Sequence, residues 1–396
     1  ILFYKHLIDE NIPDDHIIKF AFDSAEDLIK IGENPIVLDN EKEDRKVDPS
    51  RFINWLMPQI NGEGMYYLLL DEVQKLGAFE SVLNGFLRKD NLDVYVTGSN
   101  SKFLSKDILT EFEGRGDEVH VLPLSFSEYY AFKQGDRSEA YDDYSVYGGL
   151  PAVVLMATEE QKTNYLISQM RNLYLRDIVN RYSVQDETVL AEVMDVIASG
   201  ISTLTNPRKI ASTMNTVHGT KICDATVDRY IGYAEEAFML TRVKRYNVKG
   251  RKYIGTPYKI YFEDVGLRNA RLSFRQIEGT HIMENIIYNE LRYRGYQVDV
   301  GTVESREKDT DGKEIRVQRE IDFIASLGSK KYYIQSAYAI PSQEKYEQET
   351  LSFEHTMDSF KKIIIVEKSM KPRYDENGYL MMGVKEFLLD ANSLLI

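Results

Sequence analysis

The sequence is poor in the residues that build disulfides and metal centres. It has one cysteine, Cys223, so it can form neither an intramolecular disulfide nor a cysteine-rich zinc site. A reducing, cytoplasmic compartment is expected. The histidines, His6, His16, His120, His218, His281 and His355, are scattered and include no H-E-x-x-H pair, which leaves a histidine metal site without local support. Long apolar runs are missing too. Stretches such as 68–70 and 363–366 fall far short of the roughly 20 residues that span a bilayer, and no signal peptide is visible, so no membrane role is expected. Positive charge is in deficit: 49 Lys and Arg against 63 Asp and Glu give a net charge of −14. That argues against nonspecific polyanion binding over the whole surface but leaves room for one local basic face. No G-x-S-x-G elbow, internal repeat or low-complexity linker occurs.

What is present suits a folded chain of several domains. With 396 residues, 43% hydrophobic and 28% charged, it exceeds one ordinary domain and is neither disordered nor fibrous in composition. The first segment alternates strand-length apolar runs, at 16–23, 65–71, 93–98 and 118–122, with helix-like stretches that include 79–88 and 103–112. That order predicts a parallel sheet covered on both faces. From 139 to 237 the spacing is helical, at 166–182 and 188–199, with a capped helix opening at Asn206-Pro207 and another near Asp224. A Val-, Tyr- and Ile-rich stretch, 241–262, is broken by Lys249-Gly250 and predicts a hairpin. Helices followed by a hairpin give the order of a winged helix-turn-helix. From Gly266 onward the order is α-β-β-β-α-β.

The most informative segment is Leu68-Leu-Leu-Asp71-Glu72, where a buried strand delivers adjacent carboxylates to its carboxyl edge. Open α/β sheets bind ligands at that edge. Phosphoryl transfer uses one acid to hold Mg2+ bridging the phosphates and another to orient or deprotonate the attacking water. Adjacent strand residues point opposite ways, so Asp71 and Glu72 can serve different partners. The next strand ends in Thr97-Gly-Ser99-Asn100, whose hydroxyl or amide groups suit a γ-phosphate sensor. Arg115 follows the next helical stretch, a place from which an arginine can reach a neighbouring subunit's nucleotide.

These segments together resemble a known family. Residues 68–74 look like a Walker B strand, 97–100 like a sensor-1 strand, and 114–128 like the helix end and strand that follow. Together with Tyr147-Gly-Gly-Leu-Pro151, Tyr253-Ile-Gly-Thr-Pro-Tyr258, Asp264-Val-Gly-Leu-Arg-Asn-Ala270 and His281-Ile-Met-Glu-Asn285, they resemble prokaryotic AAA-type P-loop ATPases with a restriction-endonuclease-like C-terminal region of unknown function. The resemblance implies an α/β fold in three parts: an AAA-type core over 1–137, a helical and winged-helix middle over 138–265, and a PD-(D/E)XK nuclease-like domain over 266–396. It also implies ATP and Mg2+ as cofactors, with Asp71 on the metal, Glu72 as base, Ser99 or Asn100 as sensor, and Arg115 acting within a homo-oligomer. The family's phosphate-binding loop, G-x-x-x-x-G-K-S/T, is absent; Gly312-Lys313 is followed by Glu314 and does not qualify. Ile1 is therefore expected to lie just beyond such a loop, and the chain as given is expected to bind ATP poorly.

Two further constellations need a reading. Glu284 and Glu320-Ile-Asp322 resemble the first acids of a PD-(D/E)XK site, while Gln335 stands in the second acid's place and Ala337 in the lysine's. Glutamine is a weak metal ligand and alanine moves no proton, so this site is expected to be degenerate and inactive. The hairpin carries Arg242, Lys244, Arg245, Lys249, Arg251, Lys252 and Lys259 with no acid among them, and Tyr246, Tyr253 and Tyr258 are interleaved. A basic, aromatic face of this kind suits DNA, with Thr226 and Arg229 of the preceding helix as candidate base readers. The leading expectation is a Mg2+-dependent AAA-type ATPase acting on, or switched by, a macromolecule such as nucleic acid. The alternative is a non-catalytic nucleic-acid-binding scaffold that keeps the ATPase fold, and a metal-dependent nuclease ranks third.

Overall fold

Period-two alternation between buried and half-buried residues builds the strands of the first unit. In β2 (Tyr66–Asp71), Tyr66, Leu68 and Leu70 are buried, Tyr67 and Leu69 are half-buried, and Asp71 is exposed. A computed structural model describes residues 2–38, 45–98, 115–217, 219–308 and 313–396, and the chain divides into two compact units at Val119/His120. In the first unit β2 lies between β1 (Ile17–Ala21) and β3 (Leu92–Val96) in a three-stranded parallel sheet of order β1-β2-β3. The register places Ala21 opposite Asp71 and Leu70 opposite Val96. Helix α1 (Ala25–Lys30) starts at Ser24, whose side chain accepts from the Asp27 N–H. Helix α2 (Pro49–Leu56) starts at Asp48, with Pro49 in its first turn. Phe52 of α2 and Val82, Leu83 and Phe86 of α3 (Phe79–Phe86) pack with Phe20, Phe22, Leu68 and Leu70 in one core.

The expected fourth strand, 118–122, does not form. Val119 and Val121 are 81% and 85% exposed, so the alternation there buries nothing and meets no ladder partner. The expected helix at 103–112 lies outside the described residues.

The second unit joins helices to an eight-stranded mixed sheet of order β10-β11-β9-β8-β7-β6-β4-β5. Its strands are β4 (Leu240–Asn247), β5 (Lys252–Phe262), β6 (Gln297–Lys308), β7 (Glu314–Leu327), β8 (Lys330–Ala337), β9 (Lys361–Val366), β10 (Arg373–Tyr374) and β11 (Leu380–Gly383). Helices α4 (Glu187–Ser199), α5 (Pro207–Val217) and α6 (Asp224–Glu236) pack through Leu190, Met194, Ile210, Met214, Val227 and Ile231. The continuous helix expected at 166–182 is instead an α-helix to Ser168, a π-helical stretch Gln169–Leu175 and a further α-helix Arg176–Tyr182.

The hairpin forms as expected from its composition, but it is no free wing. Strand β4 runs parallel to β6, with Arg245 opposite Val300 and Asn247 opposite Thr302, and Val243 packs with Val300 and Phe323. Residues on both sides of the expected boundaries at 137/138 and 265/266 thus lie within one unit. Helix α7 (Val265–Arg271) is buried at Val265, Leu267, Arg268 and Ala270, and α8 (Gly279–Tyr293) lays Met283, Ile286 and Ile287 on the sheet. Helix α9 (Gln343–Glu354) contributes Phe353 to a separate core with Ile321, Ile324 and Ala337. No helix among the described residues is long and apolar enough to cross a membrane.

Candidate nucleotide edge and carboxylate cluster

In the first unit, the carboxyl ends of β2 and β3 converge. The Thr97 N–H donates to the Leu70 carbonyl at 2.8 Å and the Val73 N–H donates to the Thr97 carbonyl at 3.3 Å, which locks Thr97 beside the end of β2. Its hydroxyl donates to the exposed Asp71 carboxylate. On the other side, the Phe22 N–H donates to the Asp71 carbonyl at 3.0 Å. Asp71 is therefore held by its backbone to β1 and by its side chain to the residue after β3.

Glu72 turns the chain away from the sheet. Its φ of 51° and ψ of 43° are left-handed, a conformation that costs a non-glycine residue about 1 kcal/mol. The buried Val73 and Leu76 fix the turn from the far side. Strain kept in place by packing, next to a polar strand end, is a mark of functional sites. The half-buried Glu72 carboxylate accepts from Gln74 Nε2, while Gln74 Oε1 is buried without a partner.

Of the residues assigned to this edge from sequence, Asp71 and Glu72 stand at the end of β2. Ser99 and Asn100 lie outside the described residues. Arg115 is exposed, and its Nη1 donates to Asn84 Oδ1 of α3 at 3.0 Å. Sequence reasoning carried Thr97 only within the 97–100 segment as part of a candidate sensor, not as a brace for Asp71, and it passed over the Gln74 amide. For Gln74 the available signal was its place two residues beyond Glu72, across the turn.

The basic hairpin is only partly a basic surface. Arg242 donates through Nε to Glu235 at 2.7 Å and through Nη1 to Asp228 at 2.6 Å, so α6 already neutralises it. Burial opposes its charge, but the Glu235 and Asp228 carboxylates hold the guanidinium above its ordinary pKa. Arg245 reaches Gln318 at 3.5 Å, and Lys249 donates to the Glu304 carbonyl at 2.8 Å. Arg229 is exposed on α6, 3.4 Å from Thr226. Lys244, Lys249, Arg251 and Lys252 are exposed, as is Tyr253. The seventh cation, Lys259, is not on the surface. It is 2% exposed, because Lys259 and Tyr261 share the face of β5 that meets α8.

Lys259 lands instead among three acids. Its ammonium contacts Glu284 of α8 and Glu320 and Asp322 of β7. Gln335 is close by: its Oε1 accepts from the Asp322 N–H at 3.4 Å, and its Nε2 donates to Glu349 at 3.3 Å. Ala337 is buried in the core with Phe353 and Ile364. The structure thus joins Glu284 and Asp322 through Lys259, with Gln335 bonded to the Asp322 N–H. Ala337 keeps the sequence place expected of a lysine, but a lysine from β5 does reach the acids. Strand periodicity does not reveal which distant strand faces which, so Lys259 was legible only as a charge inside the apolar run 258–262.

Comparison with known proteins accords with the first unit's geometry. Residues 2–130 match the family model described as AAA domain, and residues 138–278 match a domain of unknown function (DUF8612). An uncharacterized protein of Haemophilus influenzae is 33% identical over 328 residues, covering 82% of this chain and 77% of that protein. The uncharacterized protein MJ1544 of Methanocaldococcus jannaschii is 24% identical over 404 residues, covering 98% of this chain and 81% of that protein. The crystal structure of protein VC1899 from Vibrio cholerae covers 96% of this chain and 90% of its own at 12% identity, with a TM-score of 0.22, too low to bear on the fold.

Proposed function

Because the chain belongs to the family of the uncharacterized Haemophilus influenzae protein and carries an AAA domain over residues 2–130, we propose that it binds and hydrolyses ATP with Mg2+ at the carboxyl edge of β1–β3. The cycle would act on, or be switched by, a macromolecule. One observation carries this reading: the exposed Asp71 carboxylate ends the central strand, braced by Thr97, with Glu72 set beside it on a left-handed turn.

The oxygen donors fit Mg2+, which is held by one or two carboxylates while water and phosphate oxygens complete its octahedron. Among the described residues no group of three His, Cys, Asp or Glu could hold a metal ion. An ion at Asp71 therefore depends on the nucleotide it accompanies. A bound Mg2+ would supply neutralisation of charge on the phosphate oxygens. Asp71 holds it through its coordination sphere, and the Thr97 hydroxyl fixes the carboxylate's orientation. Glu72 orients the attacking water and accepts its proton, with the Gln74 amide holding the Glu72 carboxylate in place. Ser99 or Asn100 senses the γ-phosphate, and Arg115 acts across a subunit boundary in a homo-oligomer. The sequence contains no G-x-x-x-x-G-K-S/T loop, so these residues hold metal and water rather than cradle the phosphates. Calorimetric titration of the full-length protein with ATP and Mg2+ tests the assignment. Asp71→Asn should weaken the Mg2+-dependent part of binding about tenfold or more, the scale of one lost charge-assisted contact; unchanged binding would refute the role.

A second reading, a nucleic-acid-binding scaffold, draws on Lys244, Lys249, Arg251 and Lys252 beside the exposed Tyr253. Fluorescence anisotropy with duplex DNA at low and high salt tests it, and binding that does not respond to salt removes it.

A further inference from the structure

Three carboxylates of the second unit converge on one ammonium. Lys259 Nζ stands 2.8 Å from Glu284 Oε1, 2.7 Å from Glu320 Oε1 and 3.1 Å from Asp322 Oδ1. The ammonium donates hydrogen bonds to Glu284 and Asp322 and forms an ion pair with Glu320. The acids are held from behind as well. Tyr261 donates to Glu284 Oε1 at 2.7 Å, and the Ser336 N–H donates to Asp322 Oδ2 at 2.9 Å. Lys259 is 2% exposed, Glu284 7% and Asp322 8%. Ions this deep are stable only when paired and hydrogen-bonded.

We infer that the Lys259 ammonium is the resident cation of this cluster. It stands among one helix glutamate and two strand acids, and so ties β5, α8 and β7 together. Two features support this. First, the ammonium is committed to all three carboxylates at 2.7–3.1 Å, with hydrogen bonds to Glu284 and Asp322. Second, the charges agree with a permanent ion. Burial opposes the lysine's charge, yet the Glu284, Asp322 and Glu320 carboxylates overcome it and hold Lys259 well above its ordinary pKa. Burial pushes Glu284 up to about 7, which trims the surplus of acid over base near neutral pH. The inference concerns the second unit and does not depend on the ATPase reading.

The chemistry of three oxygen donors around a removable cation makes a direct test. Lys259→Ala should open a site for a hard divalent ion, probed with Mn2+ by electron paramagnetic resonance of the free ion. The variant should bind one more Mn2+ per chain than the parent, and Lys259→Ala/Asp322→Asn should lose it. A folded Lys259→Ala that takes up no extra Mn2+ overturns the inference. The parent decides the matter even where that variant does not fold: parent and Asp322→Asn should bind equal Mn2+, and fewer ions in Asp322→Asn would show that metal occupies the cluster despite the lysine. Plasmid cleavage by the parent with Mg2+ or Mn2+ that Asp322→Ala abolishes would overturn it equally.

Discussion

The molecule sets out acidic side chains in two opposite ways. At the end of β2, Asp71 is exposed and its carboxylate is steadied by the Thr97 hydroxyl. Between β5, α8 and β7, Glu284 and Asp322 are buried, with Glu320 partly so, and all are held by an ammonium. A hydroxyl orients a carboxylate without neutralising it and so leaves its charge for a metal ion. An ammonium consumes the charge and turns the cluster into a structural tie. Acidic residues at strand ends therefore say little about catalysis until the nearest cation is known.

The largest expected effect lies in the buried cluster. Lys259→Met removes the cation from three acids and should destabilise the second unit by about 3–5 kcal/mol, the scale for breaking a buried ion pair. Asp71→Asn, at the exposed edge, should change stability by less than about 1 kcal/mol. Denaturant unfolding of both variants checks the contrast, and equal losses would erase it.

The next effect is on pH. Glu284 is pushed from 4.5 up to about 7 by burial, so between those values the folded state binds more protons than the unfolded one. Its contribution to stability is complete below pH 4.5 and is lost as pH rises through 7. Asp264, raised by burial from 3.8 to about 6, adds the same sign over a lower window. Unfolding followed from pH 4 to 8 should therefore show a flatter profile in Glu284→Gln than in the parent, by on the order of a few kcal/mol across the window. Parallel profiles would mean that Glu284 is ionised throughout.

At the exposed edge, Thr97→Val removes the hydroxyl from Asp71. Between exposed groups this hydrogen bond adds little to stability, but losing the brace on a metal-holding carboxylate should lower Mg2+-dependent ATP affinity or turnover by roughly tenfold or more, with little change in the unfolding midpoint. The smallest effect belongs to the hairpin. If it contacts nucleic acid, Lys252→Ala should lower the slope of log affinity against log salt by about one. Arg242→Ala, whose charge is already satisfied by Glu235 and Asp228, should instead reduce stability.

Much of this architecture was legible in the sequence because it is local. The apolar run ending at Asp71, the cap and proline opening the helix at Pro207 and the break at Lys249-Gly250 each carry their own short-range signal. What escaped is long-range. Nothing near Lys259 indicates that α8 and β7 will enclose it, and nothing in 241–247 indicates that β4 will run parallel to β6. Arg242 looked free because its acids, Asp228 and Glu235, lie on the preceding helix. The alternation at 118–122 looked like a strand, but alternation guides a strand only when one face has a core to meet, and Val119 and Val121 have none.

The most direct measurement is steady-state ATP turnover by the full-length protein carrying Glu72→Gln, with ATP binding followed in parallel. If Glu72 handles the attacking water, turnover should fall by roughly 100-fold or more, the scale of general-base catalysis, while ATP stays bound. Turnover equal to that of the unsubstituted protein would contradict the assignment of the β2 edge as a hydrolytic site.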